Sequence, residues 1–234
     1  MDDRDYDMVM SVREILRRSS NAGAAMLVQD SIGAEAFAAG LESFGIGHET
    51  GIDYPGEVTG IVKSLEEYDG STAGSMAYGQ GVSVPAIEIV SAYAAIANDG
   101  VRVTPHFLLK ADGQNAQWPQ GRRVVSPETA HAVTDMMRTV VNEGTGKGAA
   151  PEGVDVAGKT GTADQVIVGE EGYAASDLVS SFCGFAQASD PSLLIYVGFN
   201  HTYYHSEIAA DAFRTIMVDA MNTVGIVPEG TEEI

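Results

Sequence analysis

Hydrophobic positions fall at helical spacing along the first part of the chain, gather into β-rich runs after Val154, and return to helical spacing near the C-terminus. Ser11-Val-Arg-Glu14 reads as a capping box, a hydroxyl at N-cap and a carboxylate at N3, so a short helix is predicted through about Arg18. Ser19-Ser20-Asn21 then favours a cap or turn. Ala22 to Gln29 and Ala34 to Phe44 are rich in helix formers, and Gly45 and Gly47 stop the second. From about Thr50 to Gln80 the composition predicts a long, mostly irregular connection. Pro85 opens a helix with Ile87, Val90, Ala94 and Ala97 on one face, and Asp99-Gly100 closes it. Val101 to Lys110 reads as an extended arm interrupted by Pro105. Ser126-Pro127-Glu128 starts another helix, with Ala132, Val133, Met136, Met137 and Val140 as its apolar stripe and Gly144 at its end.

Val154 to Thr162, Leu178 to Gln187 and Leu193 to Phe199 are predicted strands. Ala163 to Asp177 makes a loop or extended hairpin between the first two, and Asp190-Pro191 a tight turn between the last two. A final helix is capped by Ser206, with Ile208, Ala209, Ala212, Phe213, Ile216, Met217 and Ala220 turned toward the sheet. Helices first, then three strands expected to be antiparallel, then a helix: the order predicts an α+β domain.

Composition changes this picture in two places. Thirteen Lys and Arg against 33 Asp and Glu give a net charge of −20, which excludes nucleic acid and anionic membrane surfaces as direct ligands and reads otherwise as a solvated acidic surface. One cysteine, Cys183, lies in the apolar run SFCGFA and is expected in the core; no intrachain disulfide is possible. The histidines lack metal-ligand spacing, since His201 and His205 have no evident third partner, so neither metal nor cofactor is implied. No run of 18 apolar residues and no signal-peptide pattern occurs, so the chain as given is expected to be soluble.

Two short motifs carry the candidate chemistry. S-x-N stands at Ser19 and Asn21 after the capped helix, and K-T-G-T at Lys159, Thr160, Gly161 and Thr162 in a predicted strand. Either alone is common: the first as a helix cap, the second as ordinary strand composition. Their order, their local settings and the flanks SVREILRRSSNAGAAM, YGQGVSVPAIEIVSAYAAIANDGVRVTPH, VAGKTGTA and SFCGFAQASDPSLLIYVGF together resemble class B penicillin-binding proteins from about Val12 to Val218. The resemblance implies a penicillin-binding-protein/serine β-lactamase-like fold and a peptidoglycan D,D-transpeptidase that works through an acyl-serine and binds β-lactam antibiotics. In that role Lys159, Thr160 and Thr162 would hold the terminal carboxylate of a peptidoglycan stem peptide. Gly161 would keep the strand edge open, and the Thr162 N–H would be an oxyanion donor. Ser19 would relay a proton to the leaving amine, and Asn21 would hold the substrate amide and orient the catalytic lysine.

The family's S-x-x-K, which sets the nucleophilic serine one helical turn before a lysine, does not occur. Three residues before Lys63, Lys110, Lys147 and Lys159 stand Gly60, Phe107, Gly144 and Val156. Only 18 residues precede Ser19. Residues 1–234 are therefore expected to be the C-terminal portion of a transpeptidase domain, inactive alone, with an N-terminal segment of the same protein as its natural complement. Apolar surface left by the absent helix, and an unprotected edge at Leu193 to Phe199 able to pair with a second copy, follow from that expectation. The parent would sit in the bacterial membrane with this domain outside the cytoplasm, among divisome or elongation-complex proteins. The alternative is a non-catalytic relative that binds peptidoglycan or a cell-division partner. A serine β-lactamase or β-lactam sensor fits the flanks poorly.

Overall fold

The computed structural model describes residues 9–166, 173–203 and 207–226. In chain order its α-helices are α1 (Val12–Arg18), α2 (Asn21–Met26), α3 (Ala34–Phe44), α4 (Thr72–Met76), α5 (Ala86–Ala97), α6 (Pro127–Glu143) and α7 (Glu207–Val224). Its strands are β1 (Val101–Arg102), β2 (Lys110–Ala111), β3 (Gln114–Asn115), β4 (Arg122–Arg123), β5 (Val156–Val166), β6 (Tyr173–Ala186) and β7 (Leu193–Thr202). They divide into two compact units. Asn21–His131 forms the first; α1 with Ala132 onward forms the second.

In the first unit, α2 runs into a π-helical turn, Leu27–Ile32, before α3 begins where the helix formers predict. Gly45, at φ 78°, caps α3 in the left-handed region that suits glycine. The long connection is mostly irregular as expected, with a 3-10 turn at Leu65–Glu67 and the short α4 inside it. A full capping box occurs here, Ser64 with Glu67. At α1 only half of one forms: Ser11 Oγ accepts from Glu14 N at 3.2 Å, while the Glu14 carboxylate is drawn instead to Arg17 and Arg18. The arm after α5 folds into two ribbons, β1 with β4 and β2 with β3.

The buried face of α5 differs from the apolar stripe. Glu88, Ser91 and Ala95 are buried, and Ile87, Val90, Ala94 and Ala97 are only partly so. The reason is Glu88, 1% exposed, whose two carboxylate oxygens accept from Gly47 N at 2.6 Å and Gly60 N at 2.8 Å. An irregular connection must place its backbone N–H groups somewhere, and a buried carboxylate is a strong acceptor.

The second unit is an antiparallel sheet in the order β5-β6-β7 with α7 across one face. β5 and β6 run further than predicted into Ala163 to Asp177, making the extended hairpin; 167–172 lie outside the described residues, as does Ser206. Phe182, Phe213, Val156, Val197 and Met217 form the core, with the Phe182 and Phe213 rings 4.6 Å apart. Gly158 and Gly184 face each other in register because the Phe182 ring lies over them: a Cβ at Gly158 would stand 2.5 Å from its Cζ. On α7 the buried positions are Ala209, Ala210, Phe213, Met217 and Met221, while Ile216 is 45% exposed. On α6, Ala132 is likewise exposed and Thr134 and Val141 are buried, so both predicted stripes sit slightly off the packed face.

Candidate active site

The α1 helix sets one wall of the site. It is tied to the C-terminal half of α6 by arginines. Arg13 Nη1 donates to Asp135 O and to Thr139 Oγ1, both at 2.8 Å, and Arg17 Nη1 donates to Glu143 O at 3.0 Å. Thr145 N in turn donates to Arg17 O. Gly144 fits here because a Cβ would overlap that carbonyl. Glu14 completes the brace: hydrogen bonds from Arg17 and then Arg18 hold its carboxyl down at about 2.

At the end of α1 the chain turns through Ser19, which adopts φ 54°, ψ 48° while the N–H groups of Ser19 and Ser20 cap the helix. A left-handed serine is uncommon and strained by about 1 kcal/mol or more. The turn aims its hydroxyl at β5: Lys159 Nζ donates to Ser19 Oγ at 2.7 Å. Lys159 Nζ also donates to Thr160 O at 2.9 Å and Thr160 Oγ1 at 3.3 Å. Thr160 Oγ1 lies 2.7 Å from Thr145 Oγ1. Two motifs 140 residues apart in sequence thus share one chain of hydrogen bonds.

Gly161 and Thr162 follow on β5, which is an edge of the sheet among the described residues. Thr160 is buried and Thr162 exposed. Gly161 has a cross-strand reason for its size beyond an open edge: a Cβ there would lie 2.5 Å from Ser181 Oγ on β6. Ser181 Oγ itself reaches Gly161 O at 3.4 Å. It also pairs with Tyr196 of β7, whose phenol is pushed up by burial despite that hydrogen bond. Asn21 is the first residue of α2, in the other unit.

Thr145, Ser181 and Tyr196 are absent from the motif reading. Thr145 sits in Gly144-Thr145-Gly146, a small-residue turn closing a long helix, which signals a close approach but not to what. Ser181 and Tyr196 become visible only through strand register: Gly161 pairs with Ser181, and Cys183 with Tyr196. Cys183 is 3% exposed, and burial pushes its thiol up to about 12, the state of an inert core thiol. His201 is exposed on β7, His205 lies outside the described residues, and no metal-binding cluster occurs among those described. No described helix is long and apolar enough to cross a membrane.

The penicillin binding protein transpeptidase domain model matches residues 2–218. Penicillin-binding protein PbpB of Mycolicibacterium smegmatis is 37% identical over 193 residues, covering 77% of this chain and 30% of that protein. Stage V sporulation protein D of Bacillus subtilis is 35% identical over 226 residues, covering 92% and 34%. Among solved structures, penicillin binding protein 3 of Mycobacterium tuberculosis in complex with aztreonam superposes with a TM-score of 0.86 at 34% identity, covering 94% of this chain and 52% of that one. An Atopobium parvulum structure described as a peptidoglycan glycosyltransferase gives 0.89 at 50% identity, covering 94% and 53%. The chain therefore spans about a third of the curated relatives and about half of the solved chains it matches. The chain belongs to the penicillin-binding-protein transpeptidase domain family.

Proposed function

We propose that this chain is the substrate-holding portion of a peptidoglycan D,D-transpeptidase, and that the nucleophilic serine lies outside these 234 residues. The observation that carries the reading is the 2.7 Å contact between Lys159 Nζ and Ser19 Oγ. An ammonium that donates to a hydroxyl leaves the hydroxyl's own proton available, so Ser19 can pass it on. Acyl transfer needs such a donor when the serine attacks the D-alanyl-D-alanine carbonyl, the ester forms and the terminal D-alanine departs as an amine. A second stem-peptide amine then attacks the ester and frees the serine.

The edge of β5 would bind the stem peptide as an added strand. Lys159, Thr160 and Thr162 would receive its carboxylate, Gly161 would keep the approach open, and the Thr162 N–H would face the developing oxyanion. Asn21 would hold the substrate amide. β-Lactams would occupy the same place and acylate the same serine. The parent would be membrane-anchored with this domain outside the cytoplasm, among cell-wall assembly proteins. The edge of β7, unpaired among the described residues, would meet either the rest of the domain or a second copy.

Fluorescent penicillin tests this reading. The 234 residues alone should give no covalent band that survives denaturation. The complete gene product should give one, and Lys159→Ala should slow its formation by about a hundredfold or more, the scale of a lost transition-state contact. An unlabelled complete product would favour the non-catalytic alternative, and a stable band from the 234 residues alone would place the nucleophile within them.

A further inference from the structure

In this acidic chain most described arginines have a built-in acceptor. Arg13 and Arg123 hold backbone carbonyls, and Arg17, Arg18, Arg138 and Arg214 hold carboxylates. Arg102 and Arg122 are the exceptions. They stand directly opposite each other across β1 and β4, where like charges repel. Neither has an ion pair or hydrogen bond to a protein acceptor among the described residues, and Arg102 Nε is buried without any partner. With 33 carboxylates in the sequence, an acceptor could have been supplied.

Both arginines line a cavity of about 270 Å³ in the first unit, with Glu49, Thr50, Thr104 and Gln120. Packing holds the Arg102 guanidinium in place of a counter-ion: it lies against Gly45, where a Cβ would overlap it. The Thr50 wall is equally fixed, since Glu57 accepts from Thr50 N at 2.7 Å and from Thr50 Oγ1 at 2.5 Å. Glu49 lines the cavity without an ion pair to either arginine. Two guanidiniums therefore await an anion, and a carboxylate beside them awaits an N–H donor.

We infer that this cavity binds a peptide-borne carboxylate, taken between Arg102 and Arg122, with the neighbouring peptide N–H donated to Glu49. Guanidinium forks match a planar carboxylate bidentately. Inorganic phosphate lacks the N–H and would set its second charge against Glu49. The assignment does not depend on the Lys159 chemistry.

The test uses the complete gene product with arginine Nε labelled by ¹⁵N. An acetylated, amidated tripeptide with a central aspartate is titrated in, then its asparagine counterpart, then inorganic phosphate. The aspartate peptide should shift the Arg102 Nε–H resonance saturably, and the asparagine peptide should not. Arg122→Gln, at an exposed position, should leave the remaining spectrum intact and weaken the aspartate peptide about tenfold or more, as for one lost charge-assisted hydrogen bond. Glu49→Gln should narrow the preference over phosphate, and Lys159→Ala should change nothing here. Equal shifts from both peptides, tighter binding of phosphate, or an unchanged affinity in Arg122→Gln would each overturn the assignment.

Discussion

The two units solve the same problem by opposite means. The second buries apolar side chains beneath a three-stranded ladder, with Phe182 and Phe213 at its centre. The first carries long irregular segments and ties them down with carboxylates. Glu88 takes Gly47 N and Gly60 N, Glu57 takes Thr50 N and Gly51 N, and Asp69 takes Ser71 N and Thr72 N. Asp53 takes Phe107 N and Leu108 N, and Glu67 takes Ser64 N. The acidic composition is therefore partly structural and more than a solvated surface. Where a chain lacks strand or helix partners, an ionised carboxylate can satisfy two backbone donors at once.

The largest effect should come from breaking the apolar centre. Phe213→Ala should cost about 3 to 5 kcal/mol, the range for emptying an aromatic site in a packed core. Reduced protection of β6 amides from hydrogen exchange would report it. A loss below about 1 kcal/mol would mean the ring is not the main prop, because cavities of that size do not close freely.

Glu88→Gln probes the other strategy. The amide keeps one acceptor and turns a donor toward the second N–H, so one of the Gly47 and Gly60 hydrogen bonds is lost. We expect about 2 kcal/mol of destabilisation, the cost of one buried donor left unpaired beside a lost charge-assisted bond. Faster exchange at Gly47 or Gly60 checks it. An unchanged rate would show that the loop is held by something other than this carboxylate.

Acid should separate the two strategies without mutation. The Asp69 carboxyl is held well below its ordinary 3.8 by the Thr72 hydroxyl and the Ser71 and Thr72 N–H groups. Asp53 is lowered by the Phe107 N–H and Glu67 by the Ser64 N–H. Burial raises Glu57, but Thr50 and Gly51 more than offset it. A depressed folded pKa means stability fully present above the unfolded value, declining below it and lost as pH falls through the folded one. Protection at Phe107, Leu108 and Thr72 should therefore decline as pH drops below the ordinary 3.8 to 4.5 range, before that of β6. Glu14, held at about 2, should loosen its hold on Arg17 and Arg18 in the same direction as pH falls through that value. Simultaneous loss in loops and sheet would erase the distinction.

Sequence legibility follows the same division. α3, the three long strands and the turn at Asp190-Pro191 could be read because their periodicity and punctuation are local. Glu88 could not: nothing in AIEIVSAYAAIA tells a buried carboxylate from a solvated one until the Gly47 and Gly60 N–H groups converge on it. At the site, the motifs pointed to Ser19 and Lys159, and the fold supplied the 2.7 Å between them. Thr145 and Ser181 stayed hidden because their partners are set by a turn and a register: the small residues around Thr145 mark a close approach without naming what approaches, and the register leaves no pattern in the chain.

The smallest expected effect on stability is the sharpest test of what Ser19 is for. Its backbone, at φ 54°, is one that glycine adopts freely and serine does not. Ser19→Ala keeps the strain and loses the Lys159 contact, whereas Ser19→Gly loses the contact and relieves the strain. Ser19→Gly should therefore be more stable than Ser19→Ala by about 1 kcal/mol, and within about 1 kcal/mol of the natural protein. Urea midpoints of the three proteins give both comparisons. If a serine is kept where glycine would hold the turn as well, the hydroxyl serves something other than folding. On that reading both variants of the complete gene product should acylate slowly with penicillin despite their different stabilities. Normal acylation in Ser19→Gly would reduce the Lys159–Ser19 contact to a helix cap that happens to touch a lysine.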